Sequence, residues 1–368
     1  MSTAEDIRLD RDIASGEHEV WYTRCPVPTA FEVALAEGFF DEEFALSGID
    51  WIPLAASDDP AVHQSHFSHR KAKSFRHGGN VPAIAARSRG ADTKVIGVSW
   101  LRTPYTLLAR PGSGIESVDD LRGKRLLVPR RRGAFIDFWA ASTLRVYEVA
   151  LAKVGLTLDD VEIVETEAGD DLIPTAGHAD SRARLRWTLF NAYRIQRDVL
   201  TPLVRGEVDA VTSQATLSEQ LQALTGAHLV FDQADQPALF DTVNNGAPDT
   251  ITVSGQFLED APESVAGVLA RILQGADWAR RHPSEAEHLL ADRIQISSAL
   301  LRATYGDDIG AHLGVTLPDN TADVLRLQQD HLLRHGFITE AFDMDEWIAP
   351  GPLARAREIL AEREVGHR

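Results

Sequence analysis

The feature that most constrains this chain is a steady exchange of short strand-type runs with helix-type runs whose ends are marked. "HEVWYT" (18–23) reads as a strand. "TAFEVALAEGFF" (29–40) reads as one helix, with Thr29 and Glu32 forming a T-x-x-E capping box and Gly38 taking the left-handed stop. "GIDWIPLAA" (48–56) predicts a strand, "VPAIAARSRG" (81–90) a helix with Pro82 in its first turn, and "KVIGVSWL" (94–101) a buried strand. A short helical step capped by Ser117 leads into the strand "KRLLVPR" (124–130). "DFWAASTLRVYEVALAKVG" (137–155) has the apolar spacing of a long amphipathic helix, and "VEIVETE" (161–167) follows as a strand. "LTPLVRGEVDAVTSQ" (200–214) is a helix, a glycine turn and a strand. "HLVFDQ" (228–233) and "DTITVSG" (249–255) are further strands, and the chain is mostly helical from about Glu259. Such alternation specifies the α/β class.

A length of 368 residues exceeds what one core supports and suits two lobes. The 37 basic against 55 acidic residues give a net charge of −18, which argues against nucleic acid or an anionic membrane as partner. No apolar run reaches the length of a membrane span. The first 24 residues are polar and acidic, without the apolar stretch of a secretory signal, and a single cysteine forms no internal disulfide; a cytoplasmic protein is the expectation.

The succession "SVDDLRGKRLLVP" (117–129), long helix, "VGLTLDDVEIVE" (154–165) and "VRGEVDAV" (204–211) resembles the type II periplasmic-binding-protein fold of the nitrate, sulfonate and thiamine-precursor binding group. That resemblance implies two lobes of mixed sheet flanked by helices, with a cleft between them. Residues 17–108 plus 236–368 would form the first lobe and residues 109–235 the second, with hinge motion about the crossings. Ligands would bind in the cleft, near helix N-termini.

The one cysteine, Cys25, stands between the first strand and the first helix, in "CPVP". Free cysteine is commonly just a small buried side chain. Here it falls at the carboxyl edge of a strand, where open α/β sheets bind ligands, and before a helix N-terminus that favours a thiolate. Partners are offered by "AVHQSHFSHRKAKSFRHGGNVPAI" (61–84), which reads as a basic loop ending at a helix start. Arg76, with bare backbone at Gly78 and Gly79, suits an oxyanion. The H-x-x-H-x-x-H spacing of His63, His66 and His69 brings no carboxylate at a familiar zinc spacing, and no metal is expected.

"YTRCPVPTA" around Cys25, "HF" at 66–67 and "RHGG" at 76–79 together resemble the aryl-sulfinate desulfinases of thiophene biodesulfurisation. "DDVEIVE", "TVSG", "GADWARRH" and "MDEWIAP" extend the resemblance over nearly the whole chain. It implies a cofactor-free hydrolysis of an aryl sulfinate, 2'-hydroxybiphenyl-2-sulfinate or an analogue, to arene and sulfite. Cys25, His66 and Arg76 would be catalytic; Gly78, Gly79, Phe67 and Trp139 would bind substrate, in a protein expected to be monomeric. Cys25 could attack sulfur as a thiolate or protonate the ring carbon as a thiol, and both routes stay open on sequence grounds. His63 or His69 could stand in for His66, and His77 occupies a place where the family resemblance implies an aromatic. Phe138, Arg130, Arg131, Arg132, Trp187 and Phe190 are further candidates for the cleft wall, whereas Asp209 marks a turn before a strand. A solute-binding protein for a sulfonate is the alternative reading.

Overall fold

The computed structural model describes residues 11–45, 48–168 and 198–366. The chain forms two mixed sheets flanked by helices, as the alternating sequence requires. Eleven strands are formed by the described residues: β1 Glu19–Arg24, β2 Asp50–Pro53, β3 Ser74–Gly79, β4 Thr93–Ser99, β5 Tyr105–Ala109, β6 Arg125–Arg130, β7 Glu162–Glu167, β8 Ala210–Gln214, β9 His228–Asp232, β10 Asp249–Ser254 and β11 Val315–Thr316. One sheet has the order β11-β4-β10-β3-β1-β2, the other β7-β6-β8-β5-β9. The chain passes to the second sheet between β4 and β5 and returns between β9 and β10. Strand β10 is antiparallel to both β3 and β4, whereas β1, β2 and β3 run parallel. The returning strand is thereby inserted at the centre of the first sheet, beside β3, which carries Arg76, Gly78 and Gly79.

Three helices position the site, and a fourth and fifth join the halves: α1 Ala30–Ala36, α2 Pro60–Ser68, α3 Asn80–Ser88, α4 Phe138–Ala152 and α5 Thr321–Arg334. Thr29 caps α1 as expected, its hydroxyl accepting from the Glu32 amide at 3.2 Å, a contact worth about 1 kcal/mol. The rest of the capping box does not form. The buried Glu32 carboxylate turns to Arg24 and to Arg293, the latter at 3.0 Å, because two guanidiniums compensate its burial better than one backbone amide. The run 29–40 is also two helices rather than one, broken where Gly38 adopts φ 74°.

The stretch 61–84 departs most from its reading as a basic loop. Residues 60–68 are helical and 74–79 are a strand paired on both sides. The cations between them are engaged rather than solvated. Lys71 donates to the Ala14 carbonyl and lies 4.5 Å from the Trp21 ring centre, and Lys73 donates to the carbonyls of Gly16 and Glu17. They pin the N-terminal segment across the sheet edge.

Each sheet has its own core. Phe31, Phe40, Phe75, Ile96 and Ile251 belong to the first; Leu107, Leu126, Val128, Leu144 and Tyr147 belong to the second. A third apolar cluster spans both halves. It joins Val81 and Ile84 of α3 to Ile136 and Ala141, and both to Leu325 and Leu332 of α5 and to Trp347. Motion about the two crossings is therefore opposed on this side by shared buried surface. None of the helices formed by the described residues is long and apolar enough to cross a membrane.

Candidate active site

Cys25 follows β1 directly, and its amide continues the pairing with β3 by donating to the His77 carbonyl at 2.9 Å. The strand thus delivers the thiol at its carboxyl edge. Two further positions converge on the sulfur. His66 Nε2 lies 3.9 Å from Cys25 Sγ, and Arg76 Nη2 lies 3.8 Å from it. Gly78 forms the floor: a Cβ placed there would stand 2.3 Å from Sγ, so only glycine lets the thiol sit where it does. The Gly79 backbone, next along the strand, favours the thiolate form of the sulfur.

Each partner is itself held. His66 Nδ1 is bonded to the Thr23 hydroxyl at 2.7 Å. Thr23 lies two residues before Cys25, so the period-2 alternation of β1 puts both on one face. Arg76 is 3% exposed. Its Nε donates to the His66 carbonyl and its Nη1 to the Gly79 carbonyl, both at 2.9 Å. These bonds engage the Nε–H and one Nη1–H and leave Nη2 pointing at the sulfur. The α3 N-terminus is likewise occupied: the Asn80 amide donates to the Asn245 carbonyl at 2.7 Å, and the Val81 amide to Asn245 Oδ1 at 3.0 Å. The first two amides of this helix end are therefore not open to an anion.

The remaining histidines separate cleanly. His63 Nε2 is bonded to the Ser57 carbonyl at 2.6 Å, and His69 closes α2 with φ 55°. His77 points to the opposite face of β3, where it bonds Ser99 Oγ at 3.0 Å and packs edge-on to Phe31. It fills a core position with a ring whose polar atom has a partner, which is how a histidine replaces an aromatic there.

Electrostatics differ from the expectation of a thiolate. Burial pushes the Cys25 thiol above its ordinary pKa, against the pull of Arg76, while the Asp249 carboxyl pushes the same way as burial. Burial, reinforced by the Arg76 charge, lowers His66 to about 3. The resting site thus holds a neutral thiol, a neutral imidazole and one guanidinium cation. The α1 end lies beyond two prolines and does not outweigh desolvation.

The second half reaches the site through Phe67. Phe67 meets His66 edge-on at 4.7 Å and stacks on Phe138 at 6.2 Å; Phe138 contacts Trp139 at 5.3 Å. Trp139 borders a cavity with Tyr105, Leu127, Arg131, Thr143 and Thr212, and the buried Arg131 guanidinium lies 5.5 Å from its ring. Its indole Nε1 is buried and has no hydrogen-bond partner among the described residues. Arg130 and Arg132 turn away to Glu165. Asp209 pairs with Arg110 and Arg125 near the start of β6, as a structural link. Trp187 and Phe190 lie outside the described residues. The sequence reading missed Thr23, Asn245, Tyr105 and Asp249; only Thr23 left a signal there, through strand alternation.

Away from this site, Glu148 of α4 joins the halves through α5, bonded to His331 Nδ1 and His335 Nε2 at 2.8 Å each and to Arg334 at 3.0 Å.

The description NMT1/THI5 like belongs to a family whose pattern matches residues 26–182 and 188–286. The 2'-hydroxybiphenyl-2-sulfinate desulfinases of Rhodococcus erythropolis and Rhodococcus qingshengii are 26% identical over 348 residues, covering 89% of this chain and 91% of each relative. Among solved structures, a mutant of DSZB in complex with biphenyl-2-sulfinic acid superposes with a TM-score of 0.67 at 22% identity, over 92% of this chain and 99% of that one. The periplasmic aliphatic sulphonate binding protein SsuA of Escherichia coli superposes with a TM-score of 0.64 at 16% identity, over 91% and 92%.

Proposed function

The chain belongs to the NMT1/THI5-like family, and from that premise we propose that it is a desulfinase that hydrolyses an aryl sulfinate, 2'-hydroxybiphenyl-2-sulfinate or a close analogue, to the arene and sulfite. The observation that carries the reading is the convergence of His66 and Arg76 on the Cys25 sulfur, at 3.9 and 3.8 Å, over a glycine floor. A protein that only captures an anion has no need of a half-buried thiol held this way.

The protonation states favour the thiol as acid. The sulfinate oxygens lie against Arg76 and the backbone of Gly79, which hold the anion's negative charge as it passes from the sulfinate, leaving as neutral sulfur dioxide, to the Cys25 sulfur. The Cys25 proton passes to the ring carbon that bears sulfur, the C–S bond breaks with its electron pair going to that new C–H bond, and sulfur dioxide leaves. Arg76 and the Gly79 backbone stabilise the thiolate so formed. Water adds to sulfur dioxide to give bisulfite, and the released proton returns to the thiolate, so that sulfinate and water become arene and bisulfite. Neutral His66, oriented by Thr23, keeps Nε2 toward the sulfur and holds the thiol in line. Phe67 and Trp139 flank the aryl group. No step calls for a metal or an organic cofactor.

The SsuA likeness favours a second reading, a binding protein for a sulfonate. Purified protein is assayed with 2'-hydroxybiphenyl-2-sulfinate for equimolar hydroxybiphenyl and sulfite, with Cys25→Ser in parallel. Products from the wild type alone support the desulfinase. Binding without turnover in both proteins supports the second reading.

A further inference from the structure

One buried acid beside this site has no part in the chemistry above. Asp249 opens β10, in register with Gly79 on one side and Ser99 on the other. It is 7% exposed. Its Oδ1 and the Tyr105 hydroxyl lie 3.7 and 3.1 Å from the point where a Cβ on Gly246 would stand, so acid and phenol border the same gap. The Tyr105 hydroxyl is already accepting from the Gly246 amide at 2.8 Å. Among the described residues no group donates a hydrogen bond to the Asp249 carboxyl, and no cation pairs with it within 4 Å.

The groups facing it come from four elements: Arg76 on β3, Cys25 after β1, Tyr105 on β5 and Tyr305 at the end of helix Ser298–Tyr305. Arg76 alone among them is a cation. A buried carboxylate with neither donor nor direct partner is held in the charged form only by that field.

We propose that Asp249 takes up a proton when an anion enters the cleft, so that anion binding and protonation of Asp249 are one coupled event. The anion's identity, though not the coupling, rests on the desulfinase reading. An oxyanion set against Arg76 cancels the field that sustains the carboxylate and adds a second negative charge next to it. Burial, offset by Arg76, already raises Asp249 to about 7. Its folded pKa lies above the ordinary carboxylate value, so the neutral form dominates below about 7 and the ionised form above it. Anion affinity is therefore full in mild acid and falls about tenfold per pH unit above 7. Asp249 acts here as a positioning and charge-setting residue, leaving Arg76 free for the ligand.

The test is calorimetric titration of biphenyl-2-sulfinate into the Cys25→Ser protein, in two buffers of different ionisation enthalpy, at pH 5.5 and 8. That background removes the thiol both as a reactant and as a proton acceptor. Nearly one proton taken up per anion at pH 8, and almost none at pH 5.5, supports the proposal. Adding Asp249→Asn should abolish the uptake and flatten the pH dependence; adding His66→Gln should leave the uptake in place. Absence of uptake at pH 8 overturns the proposal, as does uptake that survives Asp249→Asn. The comparison of the two pH values needs no Asp249 variant and stands even if that variant fails to fold. Failure of the sulfinate to bind at any pH counts instead against the desulfinase reading. The coupling is then decided by the same titration with an alkanesulfonate, where uptake supports it and its absence overturns it.

Discussion

On the β1–β3 side of the cleft, the thiol and the guanidinium are placed by main chain: Cys25 by the His77 carbonyl, Arg76 by two carbonyls, the sulfur by a glycine floor; only His66 leans on a side chain, the Thr23 hydroxyl. On the β5–β6–β8 side, the wall is made of side chains. Trp139, Tyr105, Arg131, Thr143 and Thr212 border a cavity, and Thr143 bonds Thr212 at 2.8 Å. The first arrangement tolerates no displacement, since a methyl group at Gly78 collides with the Cys25 sulfur. The second can change shape by substitution without disturbing the first. The contrast teaches that the proposed chemistry and the choice of aryl group are separable, one lodged in backbone geometry and the other in side-chain volume. The two walls meet through the Phe67–Phe138 stack and the Glu148 link.

The sharpest test of that contrast is Cys25→Ser. It should lower turnover by roughly 10²–10⁴-fold while sulfinate affinity, measured by calorimetry, stays within a few-fold. Next comes Gly78→Ala, where the added carbon falls 2.3 Å from Sγ. The thiol must move, and kcat/KM should fall about 10²-fold with little change in Tm. An unimpaired Gly78→Ala protein would break the claim that backbone sets the thiol's place.

Glu148→Gln probes the joint between the walls. Burial would raise the Glu148 carboxyl, but hydrogen bonds from His331 and His335 outweigh it and hold the group below the usual carboxylate range. A lowered folded pKa contributes stability above the unfolded value of about 4.3, and that contribution is lost as pH falls below it. The variant should lose about 1–3 kcal/mol at pH 7, seen as a lower Tm, with a smaller deficit at pH 3.5. An equal deficit at both values would assign the loss to packing.

Trp139→Ala should raise KM about tenfold, an aromatic contact of about 1.4 kcal/mol, and leave kcat within a few-fold. A loss confined to kcat would move Trp139 to the chemical side of the comparison. The smallest effect is expected from Thr23→Val, which frees His66 Nδ1 at a cost of about 1 kcal/mol, a several-fold loss in kcat read from initial rates.

Legibility in the sequence followed local signals. Thr29, Gly38 and Ser117 mark ends that the chain obeys, because each acts within four residues of itself. The helix Pro60–Ser68 escaped notice because "PAVHQSHFS" has no apolar stripe, being buried by neighbours on several sides. The strand "SFRHGG" escaped for a related reason. Its arginine, histidine and glycines are poor strand formers, and only pairing to β1 and β10 makes a strand of them.

The sequence by itself determined the α/β order, the residue types at Cys25, His66 and Arg76, and the glycines that allow close approach. These follow from periodicity, capping and motif spacing, all of which are properties of neighbouring residues. Only the tertiary structure decided which histidine reaches the sulfur, that burial raises the thiol's pKa, and that the Asp249 charge acts on it. Desolvation and long-range fields depend on what is packed around a group, and the packing here brings together strands from distant parts of the chain.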